Sequence, residues 1–268
     1  MTYDPYMHEL GRDFDQLNKT TIAPSLPLQH LVRNYFVLLQ ESQFATTTQW
    51  YILPDNCAHL IFYLFEQGDT VVPKCSLVGP RSRHILINRR GRLFTFICTF
   101  KPGGLAPFVA MPLDALKNQS TEACHVLKGY RAGVFDQLTM NALRFDVPEF
   151  VRCLESFLLS VSKGLPGVHP VVKAFYNQLA DPLAQLRLAT VAEKLGYSDR
   201  HLRNLVLAHI GHSPKMVTQI ERFTSSLLQI DYEQNWASIA HASGYYDQSH
   251  MISDYHKLVG TSPEKLFS

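Results

Sequence analysis

Hydrophobic positions follow a short period in the first part of the chain. Between His30 and Phe100, runs rich in β-branched and aromatic residues alternate with turn signals: HLVRNYFVLL, WYILP, AHLIFYLF, CSLVGP, RHILIN and RLFTFICTF. Short runs at this spacing are typical of antiparallel strands in a sandwich or a barrel. NRRG, at residues 88–91, predicts a tight turn because Asn and Gly adopt positive φ readily. The residues before Thr20 have weak periodicity and predict a short helix or a loose arm.

After Lys101 the hydrophobic period becomes that of a helix. Residues 102–118 contain two internal prolines, which restrict helices there to short pieces. The clearest amphipathic helix is predicted at residues 146–165, where Asp146 caps the first turn and apolar residues share one face. That face contains Phe150, Leu154, Phe157, Leu158 and Val161.

The segment GLPGVHP, residues 164–170, interrupts this pattern with glycine and proline. Such a segment ends regular structure and is typical of a domain boundary. We therefore predict a β-rich domain with trailing helices over residues 1–165 and an all-helical domain over residues 166–268. The predicted fold class is α+β, with a mostly antiparallel sandwich or barrel ahead of the helices.

The helical domain contains an internal repeat. LGYSDRHL, residues 195–202, is followed by GHSP, and GYYDQSHM, residues 244–251, is followed by GTSP. Two positions match at an offset of 48 residues and, after one inserted residue, five match at an offset of 49. The matched pairs are Ala192/Ala240, Gly196/Gly244, Ser198/Asp247, Leu202/Met251, Val206/Tyr255, Gly211/Gly260 and Pro214/Pro263.

Each matched position has a physical role in a helix-turn-helix unit. The alanine lets two helices cross closely, and the first glycine ends the first helix in a left-handed turn. Ser198 and Asp247 cap the second helix by accepting its free amide hydrogens, and apolar residues four apart form its buried face. The second glycine ends that helix, and Ser-Pro begins the next one. Two unrelated helical hairpins can also share an alanine, a glycine four residues later and a capping residue. Seven matched positions nevertheless favour a duplicated helix-turn-helix.

The second copy, IAHASGYYDQSHMISDYHKLVGTSPEKL, resembles the signature of the AraC/XylS transcription regulators. The resemblance covers residues 183–267 and implies two helix-turn-helix units joined by a long helix, here SPKMVTQIERFTSSLLQI. ILPDNCAHLIFYL, LVGPRSR and FTFICTFKPGG resemble a cupin-like domain of unknown function found ahead of such DNA-binding domains. These resemblances imply a bacterial, cytoplasmic regulator that binds double-stranded DNA. They also imply a small-molecule effector, RNA polymerase and a second copy of the chain as partners.

The second helix of a helix-turn-helix enters the major groove, where side chains near its N-terminus meet base edges. Arg reads guanine and Asn reads adenine through paired hydrogen bonds. Lys215, Arg222 and Lys257 are weaker candidates, for phosphate contacts. A solvated helix face is the alternative for each of these side chains. The predicted base readers are Arg200, His201, Arg203 and Asn204 in the first unit and Gln248, Ser249, His250, Ile252 and Ser253 in the second.

Charge weakens the DNA-binding interpretation. The net charge is only +2, and from Pro170 onward nine basic residues face nine acidic ones. Asn204 and Ser253 stand where the resembled family often has an arginine, and His256 stands where it often has a lysine. Fewer cations reduce the attraction to phosphate. A protein-interaction module whose DNA readers have decayed is therefore an alternative function.

An enzyme is the other alternative class. A cupin metal site needs several histidines and a carboxylate that converge from neighbouring strands, whereas His30, His59 and His84 are isolated in the sequence. The sequence contains no nucleophile elbow, P-loop or dinucleotide fingerprint. The five cysteines are spread singly, without metal or disulfide spacing, as expected in a reducing cytoplasm. We predict no catalysis, no cofactor and no metal.

Two further features bear on partners. RSRHILINRRGR, residues 81–92, contains five arginines, and its alternation favours a solvated face. An anion pocket, or an extra contact with DNA or polymerase, is the alternative for this cluster. The N-terminus lacks the basic-then-apolar order of a secretory signal, and no apolar run is long enough to span a membrane, so no membrane partner is predicted.

Overall fold

The computed structural model describes residues 18–40, 48–67, 70–89, 93–164, 167–180, 188–230 and 235–267. Residues 1–17 of the predicted N-terminal arm lie outside these residues, as do residues 90 and 91 of the predicted tight turn, whereas the end of the arm, from Asn18, forms a strand. The strands are β1 (Asn18–Ile22), β2 (Val32–Gln40), β3 (Thr48–Ile52), β4 (Ala58–Gln67), β5 (Thr70–Val78), β6 (Ile85–Arg89), β7 (Leu93–Phe100) and β8 (Ser120–Glu122). The α-helices are α1 (Ala123–Val126), α2 (Ala132–Leu143), α3 (Val147–Ser162), α4 (Pro170–Asn177), α5 (Leu188–Lys194), α6 (Asp199–Ile210), α7 (Pro214–Leu228), α8 (Trp236–Ala242), α9 (Gln248–Val259) and α10 (Pro263–Leu266).

The first part of the chain forms an antiparallel sheet. Six strands pair in the order β1-β2-β7-β4-β5-β8, and β3 pairs separately with β6. Every pairing in both sheets is antiparallel. The predicted fold class, an antiparallel β-rich domain followed by helices, is confirmed.

The sheet is held by the amphipathic helix predicted after it. Asp146 caps α3 by accepting a hydrogen bond from the Glu149 amide at 3.1 Å. Phe150 then packs against the sheet, with its ring centroid 4.6 Å from that of Phe96 and 5.2 Å from that of Phe94. Burying these large rings together supplies much of the hydrophobic stabilisation of this domain.

Within the described part of the domain, short 3-10 helices connect the elements at Leu26–Leu28, Ala106–Phe108 and Leu113–Leu116, and another, Gln178–Ala180, follows α4. Within residues 102–118, the prolines restrict the helices to two such short pieces among the described residues, as predicted. Among the described residues, no helix is both long and apolar enough to cross a membrane.

The helical part has two small cores joined by α7. The first core surrounds Phe175, Leu202 and Val206, and the second surrounds Phe223 and Tyr255. α7 contributes Val217 to the first core and Ile220 and Phe223 to the second, so one rigid helix belongs to both. α4 lies in the first core, on the helical side of the predicted boundary at residue 165. That division stays a prediction.

Candidate nucleic-acid interface

The two predicted helix-turn-helix units have the same turn. Gly196 and Gly244 follow the first helices with φ of 72° and 77°, a left-handed conformation that favours glycine. The amide after each glycine donates to the carbonyl of the matched alanine, from Tyr197 to Ala192 at 2.8 Å and from Tyr245 to Ala240 at 2.9 Å. The duplicated unit predicted from the repeat is therefore present.

The second helix of each unit starts at the predicted cap. Ser198 Oγ accepts a hydrogen bond from the His201 amide at 3.2 Å, and Asp247 Oδ1 accepts one from the His250 amide at 2.7 Å. These bonds satisfy amide hydrogens that have no partner inside the helix. The four apolar positions predicted to face inward are fully buried; they are Leu202, Val206, Met251 and Tyr255.

The joining helix α7 begins where predicted, with Ser213 as its cap and Pro214 in its first turn. It ends at Leu228, two residues before the predicted end. Fifteen residues at 1.5 Å each give a rod of about 22 Å. Because α7 packs into both cores, it fixes the separation of α6 and α9.

The predicted base readers of the first unit lie on the exposed face of α6. Arg200, His201, Arg203 and Asn204 are all exposed. Arg203 Nε is 2.7 Å from Asp199 Oδ2, one turn earlier on the same helix. The His201 ring stacks on Tyr197 in the turn, with centroids 5.0 Å apart and planes 4° from parallel. Asp199 therefore orients the arginine and competes with any anion that would bind it.

The predicted base readers of the second unit lie on α9. Ser249 and Ser253 are exposed, whereas Gln248, His250 and Ile252 are half-buried. The longer side chains of this row are therefore partly covered by the fold, and the two short serines face solvent.

Asp254 is a site residue that sequence reasoning missed. Its side chain is only 3% exposed, and its carboxylate accepts a 2.8 Å hydrogen bond from the side-chain amide of Gln219. Arg222 lies 3.5 Å away and Lys257 3.6 Å away, so two cations predicted to contact phosphate are held by this carboxylate. His250 Nε2 approaches it at 3.9 Å. No sequence signal indicated this cluster, because α7 and α9 bring its members together.

Tyr246 is a second residue that the prediction omitted. It is the extra residue that the second copy of the repeat has at its turn relative to the first copy, and it is 93% exposed. It lies immediately before the cap of α9. The insertion could have indicated Tyr246 from the sequence, because an aromatic side chain added at the turn of a helix-turn-helix unit is not needed to fill the core.

The N-terminal domain contacts α7 through the loop before β4. The side-chain amide of Asn56 donates to the Val217 carbonyl at 3.0 Å and to Glu221 Oε1 at 2.7 Å. The Tyr176 hydroxyl donates to the same Glu221 oxygen at 2.6 Å. Burial is the main cause that raises the pKa of Tyr176, and Glu221 adds to it, so the phenol stays a donor. The PDNC segment, residues 54–57, leads into β4, and it also anchors the joining helix through Asn56.

The same domain touches both helix-turn-helix units. Gly211, which ends α6 with φ of 86°, leaves no room for a side chain, because an added Cβ would lie 2.9 Å from Leu113 O and 2.9 Å from Pro80 Cγ. In the second unit the Leu258 carbonyl accepts a hydrogen bond from the His84 amide at 3.0 Å. α6, α7 and α9 are therefore all braced by the β-rich domain.

One basic side chain is buried at this junction and another is half-buried. His212 is fully buried, and burial, with a smaller contribution from Lys117, lowers its pKa to about 4. Arg81 is half-buried, and burial lowers its pKa while Asp55 acts in the opposite direction. Arg81 thus departs from the solvated face predicted for the arginine cluster, whereas Arg83 is exposed as predicted. The side chains of the later arginines lie outside the described residues.

Residues 191–268, which contain both helix-turn-helix units, match a family model described as a helix-turn-helix domain. These residues therefore form an AraC-type helix-turn-helix domain, as the resemblance predicted. A helix-turn-helix domain of this type implies DNA binding. Residues 20–122 match a domain of unknown function, DUF6597. Comparison with curated proteins found no match.

Among solved structures, the chain is similar to ToxT from Vibrio cholerae. One ToxT structure matches at 12% identity and a TM-score of 0.47, covering 86% of this chain and 98% of that one. A second, bound to (E)-4-(8-methylnaphthalen-1-yl)but-3-enoic acid, matches at 13% identity, with coverages of 86% and 98% and a TM-score of 0.45. A third, bound to an unsaturated fatty acid, matches at 12% identity, with coverages of 94% and 94% and a TM-score of 0.42. The similarity is distant, and no residue correspondence follows from it.

Proposed function

We propose that this chain is a sequence-specific DNA-binding transcription regulator, and that it is not an enzyme. The observation that carries the proposal is the pair of capped recognition helices, α6 and α9, joined by one rigid helix that belongs to both of their cores. Two readers held in this way fit successive major grooves, about 34 Å apart along one face of DNA. The target is then an asymmetric site with two short boxes for each chain.

Arg203 and Arg200 are the proposed guanine readers of the first unit, and Asn204 is the proposed adenine reader, with His201 beside them. Gln248, Ser249, His250 and Ser253 read the second box. Tyr246 is exposed beside this row and packs against the sugar-phosphate backbone. Lys215 is an exposed phosphate contact, whereas Arg222 and Lys257 contribute less because Asp254 neutralises them.

The β-rich domain is the proposed sensing and dimerising part. Its contacts with Val217, Gly211 and Leu258 reach all three helices that set the geometry of the readers. A small effector that shifts the loop at residues 53–57 would therefore change how both units meet DNA. We include RNA polymerase and a second copy of the chain as partners, and the cytoplasm as the place of action, in the same proposal.

The test is selection of random duplex DNA on the purified full-length protein, followed by footprinting of the enriched sequences. The expected footprint has two protected boxes about one helical turn apart. Arg203→Ala should remove protection of the first box, and Gln248→Ala should weaken the second. Arg152→Ala is the matched control, because Arg152 is also exposed and paired with an acid on its own helix, at 2.6 Å from Glu149, but lies on α3.

The alternative function is a protein-interaction module. It is favoured by the formal neutrality of the helical domain and by the cations held at Asp254. Failure to enrich any sequence, with and without a metabolite extract, would contradict the regulator and favour this alternative. A single protected box would contradict the two-reader arrangement.

A further inference from the structure

Three side chains with different metal-binding atoms meet where β8 ends. Glu122, Cys124 and His125 each place one ligand atom within 4.8 Å of the other two. The Cys124 thiol already lies 3.8 Å from Glu122 Oε2, to which it donates. All three residues are exposed, so an ion can reach them from solvent.

The local fold holds this group of ligands in place. Glu122 is paired with Ser76 of β5, and the chain turns directly from β8 into α1. Ala123, between two of the ligands, is fully buried and anchors the backbone at this turn. The ligand-bearing backbone is therefore fixed, while the three side chains keep the freedom to close around an ion.

We propose that Glu122, Cys124 and His125 form a binding site for a zinc-like divalent transition-metal ion. Sulfur, imidazole nitrogen and carboxylate oxygen are the three donor types that Zn²⁺ accepts, in a tetrahedral arrangement. With bonds of about 2.0–2.3 Å, ligand atoms in such a site lie roughly 3.3–3.8 Å apart. The exposed side chains need to close by about 1 Å to reach this spacing, and water takes the fourth position.

The carboxylate in the group favours a cation. The Cys124 thiol already donates its proton to Glu122 Oε2, and a divalent ion replaces that proton when it binds.

The sequence pattern E-x-C-H did not indicate a metal site, because Cys124 and His125 are adjacent in sequence and do not have the spacing of a known metal-binding motif. Only the turn from β8 into the four-residue helix α1 brings the three side chains together. The site lies apart from α6 and α9. Its occupancy therefore does not depend on the proposed DNA-binding function, and either proposal can fail without the other.

The experiment is a Co²⁺ titration of the reduced, tag-free, full-length protein, followed by competition with Zn²⁺. Thiolate-to-cobalt charge transfer in the near ultraviolet reports sulfur ligation directly. We expect this band to saturate at one Co²⁺ per chain and to be displaced by Zn²⁺. Cys124→Ser should abolish it, and His125→Asn should weaken Co²⁺ binding about tenfold or more while leaving a residual thiolate band.

Cys153→Ser is the matched control, since Cys153 is a half-buried thiol on α3, outside the site, and its removal should leave the band unchanged. Circular dichroism of each variant establishes whether it is folded. If Cys124→Ser does not fold, His125→Asn still tests the proposal. The proposal is overturned if wild-type protein shows no thiolate band. It is also overturned if the band survives Cys124→Ser, or if His125→Asn binds Co²⁺ as tightly as wild type.

Discussion

Asn56 and Glu221 are 165 positions apart, and the side-chain amide of the first donates a 2.7 Å hydrogen bond to the carboxylate of the second. Asn56 is buried in the loop before β4, and Glu221 lies in the middle of the helix that joins the two DNA-reading units. This bond, with the one from Asn56 to Val217, connects the two parts of the chain at the element that sets the spacing of the readers.

Asn56→Ala should loosen this connection. It removes two hydrogen bonds and leaves the Glu221 carboxylate with Tyr176 as its neighbour, so we expect a loss of roughly 1–3 kcal/mol in the free energy of unfolding. Urea unfolding measures the loss, and hydrogen exchange of the α7 amides should show faster opening. Asn177→Ala, exposed at the end of α4, is the control and should change the free energy of unfolding by less than about 0.5 kcal/mol. If Asn56→Ala and Asn177→Ala lower the free energy of unfolding equally, the hydrogen bonds of Asn56 do not stabilise the contact between the domains.

Gly211→Ala tests the contact between α6 and the β-rich domain, with Gly260→Ala as its matched control. Both glycines end a recognition helix with left-handed φ, 86° and 77°, so alanine costs each about 1–2 kcal/mol of backbone strain. At Gly211 the new methyl group would also meet Leu113 O and Pro80 Cγ at 2.9 Å, whereas at Gly260 the nearest atom is 3.5 Å away. Thermal unfolding should therefore show a clearly larger loss for Gly211→Ala. Similar losses would mean that the domains separate easily at this point.

Asp254→Asn should be strongly destabilising, although the substitution keeps the size of the side chain. Arg222, whose side chain is only 24% exposed, would lose the charge that balances its own, and removal of one partner of a buried pair costs about 3–5 kcal/mol. Asp199→Asn breaks an exposed pair with Arg203 and should cost about 0–1 kcal/mol. Denaturant unfolding of the two variants compares them directly. A small loss for Asp254→Asn would show that solvent screens the cluster.

Asp199→Asn should also strengthen DNA binding. Asp199 competes with DNA for the Arg203 guanidinium at 2.7 Å, and its removal frees that group to bind guanine. Fluorescence anisotropy on the selected site, at fixed ionic strength, should show tighter binding for Asp199→Asn and weaker binding for Arg203→Ala. The double variant should bind like Arg203→Ala. If the double variant binds DNA more tightly than Arg203→Ala, the gain comes from removal of the negative charge of Asp199 and not from the release of Arg203.

Acid should destabilise the chain through His212. Its pKa is lowered to about 4 by burial, with Lys117 adding to the effect, so the folded state binds fewer protons than the unfolded state. The stability contributed by the neutral ring is present above about pH 6.5 and is lost as pH falls through about 4. Between pH 7 and pH 5 this amounts to about 2 kcal/mol of unfolding free energy.

The measurement for His212 is urea unfolding at the two pH values, in wild type and in His212→Asn. The variant should lose most of the pH dependence, whatever its stability at pH 7. An unchanged difference between the two pH values would assign the acid sensitivity to other groups.

The sequence by itself determined the local design of the reading units. Alanine, glycine, the Ser or Asp cap and the buried residues four apart recur in both copies, and each acts within a few residues of itself. The two turns and the two caps could therefore be predicted position by position. The antiparallel strands and α3 were predictable for the same reason, because hydrophobic periodicity is a local property.

Only the tertiary structure decided which distant side chains meet. Asp254 gathers Gln219 and Arg222 from another helix, and Asn56 reaches Glu221 from another domain. These contacts depend on how α7 packs against its neighbours, and no spacing along the chain encodes that packing. Arg222 shows the consequence: as a cation on the joining helix it was predicted to contact phosphate, whereas the fold places its charge beside a buried carboxylate. The sequence determines where a helix begins and which face it buries, and long-range packing decides which of its charges remain available to bind.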